Sequence, residues 1–270
     1  MDEVLEFLLL FLKISFYPIG AFVICGLIVA LCERMVMYFC GRGGRGIIYA
    51  TSIIGTPVHE MGHASMCVVF GHKIKKMCLW YPKSRDGTLG YVEHSYNRKN
   101  LYQRLGNMFI GMGPIFSGLL FIFLVMLICF SDAFDTYVIS VFRDGYEISS
   151  FGDLFSDGFD MIKNMFSDST RHVAIKVIGF ILILSTCLHI NLSAPDIKNS
   201  LSALPIYLAI TFILSILVYF IDGSFGYAVQ SGLSSWLSVC ITLYLPVLMA
   251  AVCILAISFI FYLIRLIFRR

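Results

Sequence analysis

His59, Glu60 and His63 stand together in the run Thr56-Pro57-Val58-His59-Glu60-Met61-Gly62-His63-Ala64. In an α-helix, residues four apart point the same way, so the two imidazoles can hold one metal ion from a single face. Glu60, the neighbour of the first ligand, then lies beside that ion. HExxH is the spacing in which two histidines bind zinc and the glutamate acts as general base toward a water. The bland reading is a polar cluster that holds helices together by hydrogen bonds. The surrounding chain favours the metal, because an ionised carboxylate in a spanning helix costs roughly 2.5–3.5 kcal/mol and marks a functional site.

The elements that must position these groups are membrane helices. Of 270 residues, 59% are hydrophobic and 14% charged, against roughly 25% charged in soluble domains. A span takes about 20 apolar residues, and six stretches suffice: Ile14 to Leu31, Ile47 to Phe70, Met108 to Phe130, Val173 to Ile190, Leu201 to Ile221 and Trp236 to Ile264. The expected fold is an all-α polytopic membrane protein of six transmembrane helices, with a small cytoplasmic-side β-hairpin between helices 2 and 3. The first stretch follows Asp2, Glu3 and Glu6 and is expected to be retained, not cleaved as a signal peptide. The nine cysteines form no CxxC pair and read as small reduced core residues, neither a disulfide frame nor a Cys-type zinc site. The net charge of +3, with its basic residues gathered in one loop, argues against a nucleic-acid partner.

Gly71 to Arg104 carries eight Lys or Arg against Asp86 and Glu93, which by the positive-inside rule places it in the cytoplasm. Within it, Lys73 to Tyr81 and Thr88 to Tyr96 flank Ser84-Arg85-Asp86-Gly87, a hairpin signal whose edge strand can pair with an unwound peptide. Ser131 to His172 has eight acidic against three basic residues, and is expected outside as a solvated or surface-lying segment. Arg265, Arg269 and Arg270 put the C-terminus inside, and six spans then put the N-terminus inside too. Glu33 to Gly46 is glycine-rich, lacks the Lys-Ser/Thr ending of a P-loop and reads as a flexible turn. Pro57 is expected to bend the second helix and free a backbone carbonyl. Gly111-Met112-Gly113-Pro114 reads as a face for close helix packing. Further on, Pro195 should break the fourth helix just before Asp196, leaving a carboxylate fit to be a third ligand. Two plainer readings compete: Asp196 only caps the next helix, and His189 is a core histidine instead of the competing ligand.

With those pieces assembled, the chain resembles the site-2 protease family of intramembrane zinc metalloproteases. His59, Glu60 and His63 match its HExxH, Gly113-Pro114 its Gly-Pro element, Asp196 its aspartate ligand after a proline, and the hairpin its substrate-binding β segment. It departs in having Leu188 eight residues before Asp196, with Asn191 the nearest asparagine, and Ile197 after it. The resemblance implies one Zn2+ per chain held by His59, His63 and Asp196, with Glu60 catalytic and Asn191, Gly113 and Pro114 touching substrate. It implies hydrolysis of peptide bonds in transmembrane or membrane-anchored proteins, and a place in a bacterial cell membrane with both termini cytoplasmic. The expected division is an accessory helix and link (1–46), a catalytic core (47–200) and two accessory helices (201–270). The alternative function is a catalytically silent relative that binds transmembrane partners or holds zinc structurally.

Overall fold

The computed structural model describes residues 3–82, 87–139, 151–167, 171–221 and 223–267. Helix α1 (Glu3–Cys40) is followed directly by α2 (Arg42–Val69). The reversal takes one residue, Gly41 at φ 57, so the expected flexible turn is largely helix: a single glycine in the left-handed region suffices to turn the chain. Strands β1 (Lys73–Cys78) and β2 (Tyr91–Ser95) pair antiparallel, and α3 (Leu101–Cys129) follows. A short α4 (Ser131–Phe134) leads into a π-turn over Asp135–Ile139. Then come α5 (Phe151–Ser167), α6 (Val173–Cys187), α7 (Ala194–Phe220) and α8 (Gly223–Ile267). Four of these, α1, α3, α7 and α8, are long and apolar enough to cross a membrane, which makes the chain a membrane protein. The expected boundaries at 46 and 200 fall inside α2 and α7.

Contacts along the helices fix their directions. Lys13 donates to Gln230 (2.8 Å), Trp236 to the Pro18 carbonyl (3.3 Å) and Tyr244 to the Phe22 carbonyl (3.3 Å), and the Tyr38 and Tyr262 rings lie 6.3 Å apart. Helices α1 and α8 therefore run parallel. Down α3, Cys129 faces Gly179, Gly118 faces Ile190, and Gly111 with Met108 faces Asp196 and Ser200. So α6, the link 188–193 and α7 travel one way along α3, interrupted at the link. A 15-residue α6 is only about 22 Å long, short of the roughly 30 Å hydrocarbon core. Of the six expected spans, four correspond to helices long and apolar enough to cross a membrane; α2 and the 15-residue α6 are not among them. Because α1 and α8 run parallel, Glu3 and Ile267 lie at opposite ends of that helix pair.

Hydrogen bonds between helices supplement packing where lipid offers no hydrophobic drive. Ser15 donates to Thr211 (2.8 Å) and Tyr207 to the Ser15 carbonyl (2.8 Å), each contributing about 0.6 kcal/mol on average. The hairpin lies between α2 and α3, as expected. Trp80 donates to Ser52 (3.0 Å) and Tyr49 to the Pro82 carbonyl (3.5 Å), so it folds back along α2. Of the expected turn, Gly87 has a φ of 84; Ser84, Arg85 and Asp86 lie outside the described residues. The acidic segment is partly built into the core. Gly158, Met161 and Met165, on one face of α5, are buried, with Gly158 set against Met249 and Leu245 of α8, while Phe159 and Asp160 are exposed. Residues 140–150 and 168–170 of that segment, Asp222, Arg269 and Arg270 lie outside the described residues. All nine cysteines are free.

Candidate metal centre

One face of α2 and the first turn of α7 meet at the HExxH turn. His59 Nε2 and His63 Nε2 are 3.2 Å apart, and Asp196 brings Oδ1 to 3.1 Å from His63 Nε2 and Oδ2 to 3.7 Å from His59 Nε2. One ligand atom from each lies within 4.8 Å of the others. Two imidazole nitrogens and a carboxylate oxygen fit zinc: ligands roughly 2.0–2.1 Å from a tetrahedral ion stand roughly 3.3 Å from one another.

The second nitrogen of each ring is tied to backbone. His59 Nδ1 donates to the His189 carbonyl and His63 Nδ1 to the Ile110 carbonyl, both at 2.7 Å. Such bonds fix the tautomer, leaving Nε2 bare to ligate, and hold the ring's orientation. Both acceptors are available because a helix is interrupted. His189 sits in the link that breaks the α6–α7 passage. Ile110 lies four residues before Pro114, which has no N–H to offer its carbonyl. Gly113 supplies the approach: a Cβ there would stand 2.6 Å from the Gly62 carbonyl carbon, so α2 and α3 touch backbone to backbone beside His63. Gly113 and Pro114, expected to touch substrate, are buried at this contact beside His63 and are not among the residues lining the cavity. Pro114→Ala is accordingly expected to weaken zinc binding roughly 10-fold, the lower end of the cost of losing an outer hydrogen bond. The restored N–H competes for the Ile110 carbonyl, and zinc titration of the purified variant measures the loss.

Asp196 both caps and faces the histidines, roles that the sequence set against each other. Its Oδ2 accepts from Ser193 N (2.9 Å) and Ser193 Oγ (2.6 Å), completing a capping box, while Oδ1 turns to His63. Pro195 begins α7 instead of ending α6, since in a first turn the missing N–H costs nothing. His189 is not part of the three-residue group. Its Nε2 lies 3.2 Å from Thr51 Oγ1, its ring is seated over Gly55, and its contribution to the centre is a carbonyl.

Glu60, 6% exposed, lines a cavity of about 750 Å³ with His59, His63 and Asp196, walled opposite by the chain from Gly87 to Val92. That wall is close: a Cβ on Gly90 would stand 2.7 Å from Glu60 Cγ. Among the described residues β2 pairs only with β1, so its other edge has no strand partner. Asn191 is on the cavity wall, and its amide donates to the Glu33 carboxylate. Glu33 was missed because a lone glutamate at the end of an apolar stretch carries no spacing signal. Also missed was a second group with metal-ligating atoms, Cys67, His72 and His94, whose spacing matches no familiar motif. Burial, then the neighbouring His72 and His63, push His94 down to about 4, leaving it neutral at pH 7. No family model matches the chain, and neither a curated protein nor a solved structure matches it.

Proposed function

We propose that this chain is an intramembrane zinc metalloprotease of the site-2 protease type, cutting peptide bonds in transmembrane or membrane-anchored proteins. The convergence of His59, His63 and Asp196 beside Glu60, on a cavity walled by a strand edge, carries the reading. His59 Nε2, His63 Nε2 and an Asp196 carboxylate oxygen would hold the metal. Zinc, when bound, polarises a scissile carbonyl and lowers the pKa of water. The Glu60 carboxylate takes the proton of the attacking water and delivers it to the leaving amine nitrogen. The β2 edge holds an unwound stretch of substrate through main-chain hydrogen bonds, which selects for helices that unwind easily over a strict side-chain sequence. Polar groups at the 188–193 break keep water at the centre, since irregular backbone in lipid requires such a cavity. The basic α2–α3 junction faces the cytoplasm, as does the start of α1, and α8 ends on the opposite side.

Purified full-length protein with a model single-pass substrate tests this. Cleavage that disappears on chelation and returns with added zinc is the expected result. Zinc binding at His59 and His63 without turnover of any single-pass substrate supports the silent, partner-binding alternative instead.

A further inference from the structure

The end of α2 holds a second set of metal-ligating side chains. Helix α2 closes in a Schellman turn: Gly71, at φ 68, donates its N–H to the Val68 carbonyl (3.1 Å), and His72 donates its N–H to the Cys67 carbonyl (2.8 Å). This turn brings the residue three from the helix end against the residue just beyond it, a contact that is normally hydrophobic. Here the two are Cys67 and His72, both buried. The hairpin adds His94, whose Nδ1 lies 3.0 Å from His72 Nδ1. A ligand atom from each of the three falls within 4.8 Å of the others.

His72 is braced as a ligand is. Its Nε2 donates to the Gln103 carbonyl at 2.7 Å, which leaves Nδ1 bare and facing His94 and Cys67. The same device, one ring nitrogen on a backbone carbonyl and the other facing a partner ring, holds His59 and His63. Gln103 itself is fixed, donating to the Gly71 carbonyl (2.8 Å) and accepting from Asn97 N (2.7 Å), and the Tyr96 ring stacks on His72 at 4.9 Å. A histidine pair sharing one proton accounts for the 3.0 Å contact. It leaves unaccounted for a sulfur delivered to the same point by the helix-ending turn.

We infer that Cys67, His72 and His94 form a second metal site, for zinc or a similar borderline-soft divalent cation, which clasps the hairpin to the end of α2. One thiolate and two imidazoles suit such an ion, and its binding releases the Cys67 proton to solvent. The clasp fixes the base of the strands whose far part walls the cavity beside Glu60. It does not depend on the protease reading, because the ligands are different residues.

Metal counting on full-length protein in detergent, together with the spectrum of the cobalt-loaded form, tests it. About two zinc ions per chain are expected, falling to about one in Cys67→Ser, in His94→Gln and in His63→Ala. Cobalt loading should give a thiolate-to-cobalt charge-transfer band that Cys67→Ser abolishes and His63→Ala retains, because the HExxH centre has no sulfur ligand. A chain that holds one zinc, lost in His63→Ala, and shows no Cys67-dependent band overturns the second site. So does a stoichiometry unchanged in both Cys67→Ser and His94→Gln. One zinc retained in His63→Ala and lost in Cys67→Ser upholds the clasp and overturns the HExxH centre, which keeps the two failures apart.

Discussion

Glu60→Gln is expected to lower cleavage roughly 10²–10⁴-fold, the range contributed by a positioned general base, while zinc content stays unchanged. Glutamine keeps the shape of glutamate, which matters here because Gly90 leaves no room beside the side chain for anything larger. It removes the one property required of the residue, the capacity to accept a proton from water. The ligand group does not include Glu60, so the metal should be held as before. Turnover of a single-pass substrate, measured on preparations matched for zinc, reads the difference. A variant that cleaves at the parent rate with full zinc would remove Glu60 from the mechanism and leave the cavity without a base. Loss of zinc together with activity would make Glu60 a part of the metal site instead.

The half of the centre carried on one helix was legible because it obeys a local rule. Positions four apart share a face whatever the rest of the chain does, so His59 and His63 announce themselves. Asp196, on a different helix, was within reach only because a proline beside a carboxylate marks a chain interruption. Its double use was not, since a side chain with two oxygens can serve Ser193 with one and face His63 with the other. Hydropathy counts apolar residues without regard to where a helix stops, so the stretch Val173 to Ile190 read as a span although its helix, α6, has only 15 residues. Gly113 and Pro114 were correctly seen as a feature, but what they do depends on Gly62 and Ile110 in three dimensions. The pairing of Glu33 with Asn191 joins residues 158 apart, and no periodicity encodes a contact of that kind.

The choice between Asp196 and His189 as third ligand has a decisive pair of variants. Asp196→Asn keeps an oxygen able to accept from Ser193, so the cap on α7 survives; losing the cap outright would itself cost about 1 kcal/mol and cloud the result. What the variant removes is the negative charge facing two imidazoles. Zinc affinity should fall by more than the roughly 10–100-fold that loss of an outer-shell partner costs, with thermal stability of the zinc-free protein little changed. His189→Gln should act differently. The bond to His59 comes from the residue 189 carbonyl, which any side chain leaves in place, and the ring's own partner is Thr51. Removing the ring vacates space over Gly55 and costs stability there, yet zinc should remain within about tenfold of the parent, inside the range of an outer-shell loss. Zinc lost in His189→Gln and kept in Asp196→Asn would reverse the assignment. For that to happen the His189 ring would have to leave Thr51 and swing toward His59, and the link would have to turn its carbonyl away from His59 Nδ1. The bond at 2.7 Å is thus both what orients the first ligand and what keeps His189 from becoming the third.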